Sequence, residues 1–388
     1  MFKLQLPDGL SIEDFLEDYW QKKPLLIRNA IPSEYLTLPA NELAGLASEE
    51  EIESRLVYTK DQKRWKFKHG PFVESDYKKY GEKDWTLLVQ DVDKHIPEVA
   101  DVLQGFNFIP DWRVDDIMIS FAADGGSVGP HTDAYDVFLI QAQGQRLWRI
   151  NTEIIENPHY VSGLDLKILA KFNPDEEWLL EPGDVLYLPP HLAHWGIAQG
   201  ECMTWSVGFR SPSHYELSSN WFDYLLEHTK DDDHYSDPPL KPQQYSSEID
   251  STAIEKMAEV ISALPSPDSD DFKYWFGSFV TYPKPGLEIY PPDHQPSLDE
   301  VTQRLTNGKL LYRHPYARLA FTRLPDSGAL ALFYNGEHRV ITQEAEALCV
   351  LLCEQQQMDL KTLQPHLDGT HAELILELCA KGCWFFDE

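Results

Sequence analysis

The chain has 388 residues, 42% of them hydrophobic and 11 of them tryptophan, enough for two or three domains with true cores. Its formal net charge of −31 opposes unspecific binding to a phosphate backbone and suits a basic protein partner, although plain solubility is the commoner reason for an acidic surface. No apolar run reaches membrane-spanning length. The opening Met1-Phe2-Lys3-Leu4-Gln5-Leu6-Pro7 shows no secretory signal, and five cysteines (Cys202, Cys349, Cys353, Cys379, Cys383) fit a reduced cytoplasmic protein better than a disulfide scaffold.

In chain order, a first helix is expected over 11–23. Ser11 caps it, Ile12, Phe15, Leu16 and Trp20 fall at helical spacing, and Pro24 stops it. A short strand follows at 25–28. From about Asp115 to Arg210 the texture becomes short β runs between Gly, Pro and Asp: 117–121, 137–141, 147–150, 185–188 and 203–209. Such a block argues for a β-barrel or sandwich. A helix over 215–229 leads into a linker made of Asp231-Asp232-Asp233 and the Pro-rich stretch 238–242. Amphipathic helices are expected over 252–264 and 270–280. Their aromatics, with those of the preceding helix (Trp221, Phe222, Tyr224, Trp275, Phe276), suggest an assembly surface more than a core, because so few helices bury little. Beyond about residue 295 lies a small mixed domain. It has a helix over 297–305, strands at 309–312 and near 317–323 and 329–334, an Asn335-Gly336 hairpin turn, and helices over 343–356, 359–366 and 371–381. Helices with a small hairpin suggest a winged-helix-like module.

The most informative residues are His131-Thr132-Asp133 and, much later, His194. Two histidines and a carboxylate hold a ferrous ion on one face and leave the other open to substrate and oxygen. The pair lies between the Gly125-Gly126 turn and the apolar run Val137-Phe138-Leu139-Ile140. Side chains two apart on an extended segment point the same way, so His131 and Asp133 can share one metal. His194 closes a turn–strand–loop stretch that begins at Glu181-Pro182-Gly183-Asp184. A lone His-x-Asp among 14 histidines is usually an ordinary solvated pair; the turn and strand context favours the metal. His191-Leu192-Ala193-His194 offers two candidates for one coordination position, and spacing does not choose between them.

Arg146 shares a strand-like run with Arg149. A guanidinium inside a barrel is costly unless it meets an anion, and a dicarboxylate co-substrate would supply one in the bidentate geometry arginine matches. A surface ion pair is the competing reading. Arg149, on the opposite face, serves as the control. Thr204 and Ser206, two apart on one strand, and Ser120 on another, offer hydroxyls to a co-substrate carboxylate, or are ordinary strand residues. Cys349/Cys353 and Cys379/Cys383 have i, i+4 spacing that four thiolates of a zinc site would fit, but each lies in an apolar helical pattern and reads better as core. No phosphate loop, dinucleotide fingerprint or Gly-x-Ser-x-Gly elbow is present.

Tyr19-Trp20-Gln21-Lys22-Lys23-Pro24-Leu25 resembles the opening of JmjC-type cupin oxygenases. Val128-Gly129-Pro130-His131-Thr132-Asp133-Ala134-Tyr135-Asp136-Val137-Phe138, Gly144-Gln145-Arg146-Leu147-Trp148-Arg149 and Ser206-Val207-Gly208-Phe209-Arg210 resemble the bacterial ribosomal oxygenase family. So do Tyr235-Ser236-Asp237-Pro238 and the terminal Trp384-Phe385-Phe386. The resemblance implies an α+β chain. A double-stranded β-helix (jelly-roll/cupin, JmjC type) catalytic domain would span 1–211, a helical dimerisation region 212–284 and a winged-helix domain 285–388. It implies Fe(II), with 2-oxoglutarate and O2 as co-substrates. His131, Asp133 and His194 are the implied metal ligands and catalytic residues, and His194 is chosen over His191, which departs from a usually small position. Arg146 is implied for the distal carboxylate of 2-oxoglutarate; Ser120 and Thr204 are further candidates for co-substrate binding. The implied reaction is 3-hydroxylation of an arginine side chain on a basic large-subunit ribosomal protein, L-sixteen. Histidyl hydroxylation, lysine demethylation, or a metal-binding cupin without turnover are the alternatives. A homodimer is expected, with no direct nucleic-acid binding.

Overall fold

The computed structural model describes residues 3–59, 64–155, 157–164, 166–230, 234–325 and 327–387. It divides into two compact units, Met1–Ser211 and Pro212–Glu388. In the first unit, helices α1 (Ile12–Asp18), α2 (Ala40–Leu46), α3 (Glu74–Tyr77) and α4 (Pro97–Ala100) surround nine strands. These are β1 (Leu25–Ile27), β2 (Ser54–Thr59), β3 (Trp65–His69), β4 (Trp85–Val89), β5 (Val114–Ala122), β6 (Val137–Asn151), β7 (Glu176–Leu180), β8 (Val185–Leu188) and β9 (Ala193–Phe209). They form one antiparallel sheet in the order β1-β8-β6-β9-β5-β4-β2-β3, with β7 also on β6, wound as the expected double-stranded β-helix.

The runs expected separately at 137–141 and 147–150 are one strand, β6, with register shifts at Gln141–Gln145 against β9. Gly144 makes the bend possible: its φ is +61°, and a Cβ there would lie 2.1 Å from the Glu201 carbonyl oxygen. Alternation along the sheet separates two environments. Phe138, Ile140, Trp205, Val207 and Phe209 enter the large apolar core with Phe15 and Tyr187, whereas Val137, Leu139, Trp148 and Ile150 belong to a separate cluster with Leu180, Leu186 and Leu188.

Helix α1 is shorter than the apolar spacing predicts. Ser11 and Asp14 form a capping box, but the helix ends at Asp18. Gln21 is left-handed (φ 58°); its N–H donates to the Tyr187 hydroxyl at 2.7 Å and its amide to Asp136 Oδ2 at 3.0 Å. Tertiary hydrogen bonds thus override the periodicity, and Trp20 stacks on Tyr187 at 5.6 Å between centroids instead of continuing a helix. The fully buried Asp136 also accepts from Tyr187 Oη at 2.7 Å and Arg113 Nη2 at 3.3 Å, which satisfies a charge that would otherwise be too costly to bury.

The second unit holds α5 (His214–Glu227), α6 (Ser251–Ser262), α7 (Asp270–Thr281), α8 (Leu298–Thr306), α9 (Glu346–Glu354), α10 (Leu360–Leu363) and α11 (Gly369–Ala380). Two small sheets accompany them. One comprises β10 (Leu311–Arg313), β14 (Gln357–Met358) and β15 (Trp384–Phe386); the other β11 (Leu319–Arg323), β12 (Leu330–Tyr334) and β13 (Glu337–Ile341). Asn335 and Gly336, both at positive φ, turn the β12–β13 hairpin as their sequence predicts. Residues 234–250 carry neither helix nor strand; Asp231-Asp232-Asp233 lie outside the described residues. The aromatics of this region divide. Trp275 is buried (5% exposed) and packs with Trp221 and Phe272 at 5.1 Å, so it is core, not surface. Phe222 stays 61% exposed, with Tyr215 and Leu226 also open on α5.

Candidate active site

His131 leaves the loop ahead of β6 and pairs with His194, the second residue of β9. Each donates its N–H to the other's carbonyl, at 3.0 and 2.9 Å. That exchange sets the rings side by side, 4.3 Å between centroids. Asp133 comes back toward them because its own carbonyl accepts the His191 N–H at 2.7 Å. Its Oδ2 lies 3.8 Å from His131 Nε2 and 3.4 Å from His194 Nε2. Among the described residues this is the one group of three His, Cys, Asp or Glu whose ligand atoms all fall within 4.8 Å of one another. Two donors about 2.1 Å from a common ion are roughly 3–3.4 Å apart, so small side-chain rotations bring these three onto one metal.

The tautomers also fit. His131 Nδ1 lies 2.9 Å from the Gly129 carbonyl and His194 Nδ1 lies 3.0 Å from the Leu192 carbonyl. A carbonyl only accepts, so each Nδ1 carries the proton and each Nε2 turns a lone pair toward Asp133. His194 is 2% exposed. Burial first, then His131, holds its pKa down at about 4, so the ring is neutral and ready to ligate near pH 7. His191 has a left-handed backbone (φ 68°) and an exposed side chain. It serves the loop through its N–H, and the ring stands outside the cluster.

Arg146 is 3% exposed, and its Nε and Nη2 have no hydrogen-bond partner. A buried guanidinium with unmatched N–H groups is costly and marks a place for an anion. Its nearest ring is Trp148, 5.8 Å away, which in turn lies 5.8 Å from His194. Trp148 thus lies near both the guanidinium and one histidine of the cluster. It fits there only because residue 196 is glycine, where a Cβ would come within 2.8 Å of the indole. Arg149, three residues on and so on the opposite face of the strand, donates to Glu177 Oε1 at 2.7 Å.

Ser120 and Thr204 are register partners across β5 and β9, and both are buried. Thr204 Oγ1 donates to Gln141 Oε1 at 3.1 Å and Ser120 Oγ donates to the Thr204 carbonyl at 3.4 Å. Gln141 was not singled out from the sequence. Its signal is a polar residue ending the apolar run Val137-Phe138-Leu139-Ile140, and it is fully buried. Ser206, two residues from Thr204, is buried as well. At another edge of the site, Gly208 faces Asp116 Oδ1 and the Tyr135 ring, at 3.6 and 3.9 Å from where a Cβ would stand. Asp133, then burial, then Asp116 and Asp115 push the Tyr135 phenol up, the mark of a negative potential at this spot. The four late cysteines are all buried in the apolar core of the second unit, as their helical pattern predicts.

An apolar interior, an arginine awaiting an anion and a two-histidine, one-carboxylate cluster on a double-stranded β-helix define a class: metal-dependent oxygenases of the JmjC type. Residues 101–217 match the JmjC domain and residues 260–385 match the ROXA-like winged helix. The chain is 36% identical to the ribosomal protein uL16 3-hydroxylase of Escherichia coli strain K12, over 97% of this chain and 98% of that protein. It is 34% identical to a probable ribosomal oxygenase of Haemophilus influenzae over 86% and 83% of the two chains. The solved structure of the E. coli ribosomal oxygenase YcfD in complex with cobalt and 2-oxoglutarate matches all of both chains with a TM-score of 0.82 at 34% identity. The chain belongs to this ribosomal oxygenase family. Among the described residues, no helix is long and apolar enough to cross a membrane.

Proposed function

We propose that this protein is an Fe(II)- and 2-oxoglutarate-dependent oxygenase that hydroxylates an arginine side chain of the large-subunit ribosomal protein uL16. The observation that carries the reading is the meeting of His131, Asp133 and His194 with both Nδ1 protons tied to backbone carbonyls. These three would hold the metal. Arg146 would take the distal carboxylate of 2-oxoglutarate, with Ser120 and Thr204 as polar neighbours on the adjoining strands. When bound, the iron supplies oxygen activation coupled to decarboxylation: substrate C–H, O2 and 2-oxoglutarate become C–OH, succinate and CO2. The chain's own contribution is position and exclusion. The histidine–carbonyl bonds fix ring rotation, and the apolar walls limit water.

A cationic target is supported by the net charge of −31 and by Asp116, Asp115 and Asp133 around Tyr135. The same charge disfavours direct nucleic-acid binding, and a ribosomal substrate in bacteria implies work in the cytoplasm. We assign 1–211 to catalysis, 212–284 to homodimerisation through the open apolar side chains of α5 and α6 such as Phe222, Leu226, Ile254 and Ile261, and 285–388 to the winged helix. The test is incubation of the purified protein with Fe(II), 2-oxoglutarate, O2 and uL16, followed by peptide mass spectrometry. A gain of one oxygen on an arginine, with stoichiometric succinate, is expected. Oxygen on a histidine, loss of a lysine methyl group, or no succinate at all would each replace the reading.

A further inference from the structure

One hydroxyl ties together the two segments that carry the histidines. Residues 125–131 run along the first half of β9. Gly125 N and the Ala198 carbonyl meet at 3.1 Å, Ala198 N and the Gly126 carbonyl at 3.1 Å, and the His131–His194 pair closes the other end. Between these backbone anchors sits Ser127, 0% exposed. Its Oγ accepts from the Gly129 N–H at 3.1 Å and from the Trp195 indole N–H at 2.8 Å. Gly129 is the residue whose carbonyl holds His131 Nδ1, and Trp195 directly follows His194 in β9. Trp195 is itself seated, with the Arg149 guanidinium 5.6 Å over its ring and Phe172 edge-on at 6.3 Å.

We infer that Ser127 is a positioning residue for the metal centre, acting on His131 through the Gly129 peptide and on the His194 strand through Trp195. The inference rests on the reading of His131, Asp133 and His194 as the metal site. The Gly129 N–H lies in the peptide plane shared with Val128 and its carbonyl in the next plane, shared with Pro130; at a glycine with φ +83° no side chain braces the hinge between them, so anchoring the first plane by its N–H restrains the second. That N–H meets Ser127. Hydrogen bonds one step outside a ligand set its ring orientation and basicity, and losing one typically weakens metal binding about 10- to 100-fold. Ser127 stands one bond further out, so a smaller loss is expected. No step of the reaction passes through it.

The experiment is Co(II) titration of the full apo chain, read from the visible d–d absorption, with thermal melting of the apo protein alongside. Ser127→Ala should bind Co(II) about 3- to 10-fold more weakly and change the band shape. Trp195→Phe, which keeps an aromatic ring and deletes one N–H, should lose about 2- to 3-fold, and the double variant should be no weaker than Ser127→Ala alone. A merely structural hydroxyl would lower the melting temperature and leave Co(II) affinity and spectrum at wild-type values; that result overturns the inference. If Ser127→Ala does not fold, Trp195→Phe with wild-type affinity and spectrum overturns it equally. Failure of the wild type to bind Co(II) defeats the metal-site reading itself and takes the inference with it, by an arm separate from the variants.

Discussion

The two units bury polar groups for different ends. In the first, Arg146 keeps Nε and Nη2 unmatched, and His194 is desolvated until its ring stays neutral. In the second, Cys349, Cys353, Cys379 and Cys383 lie among Leu348, Leu352, Leu374 and Leu378. Burial raises the thiol pKa values of Cys379 and Cys383 to about 12. The barrel interior gathers N–H donors and imidazole lone pairs of the kind an anion and a metal ion use. The winged-helix core is closed, and its sulfur atoms serve as small apolar volume. Buried polar atoms alone therefore do not mark a site; unsatisfied ones that converge do.

Four measurements bear on that contrast. Asp133→Ala should cut succinate formation by more than the roughly 100-fold that loss of an outer hydrogen-bond partner costs, with the melting temperature nearly unchanged; full turnover would remove the metal assignment. Arg146→Met should weaken 2-oxoglutarate binding by about 100-fold, the usual effect of truncating one side of a buried charge pair, yet leave the apo protein as stable as wild type or more so, because a buried unpaired charge has gone. Arg149→Ala is its control and should stay within about twofold. Leu348→Ala, in the second core and fully buried, should cost about 2–5 kcal/mol in denaturant unfolding without moving Co(II) affinity; a parallel loss of metal would show that the two interiors are coupled. Smallest in effect, iodoacetamide at pH 8 should leave Cys379 and Cys383 unmodified in the native protein and label them fully in denaturant. The thiolate is the reactive form, and at pH 8 a thiol with a pKa near 12 is almost wholly protonated. Rapid native labelling would mean that the core opens.

Much of this was legible in the chain because it is local. Short apolar β runs between Gly, Pro and Asp marked the strands, Ser297 and Ser11 marked helix starts, Asn335-Gly336 marked a hairpin, and His131-Thr132-Asp133 in its turn-and-strand context marked two candidate ligands. Helix α1 was overestimated because Gln21 and Asp136, 115 residues apart, decide where it ends. For Trp275 the sequence favoured an assembly surface over core only narrowly, and the structure gives core, because its partner Trp221 lies on another helix. Gln141, Trp148 and Ser127 were not singled out, since nothing in their neighbours by sequence says that Gln141 meets Thr204, Trp148 approaches His194 or Ser127 meets Trp195.

By itself the sequence determined residue types, local periodicity and turn chemistry, and with them a β-barrel or sandwich followed by a winged-helix-like module and a histidine–carboxylate metal signature; the double-stranded β-helix followed from the family resemblance. Tertiary structure decided which of His191 and His194 faces Asp133, which way each imidazole carries its proton, and that Arg146 is sealed in with Nε and Nη2 unmatched. Those outcomes depend on strand register between β6 and β9 and on backbone carbonyls at Gly129 and Leu192. Register and carbonyl direction are properties of segments brought together from far along the chain, so no stretch of sequence contains them.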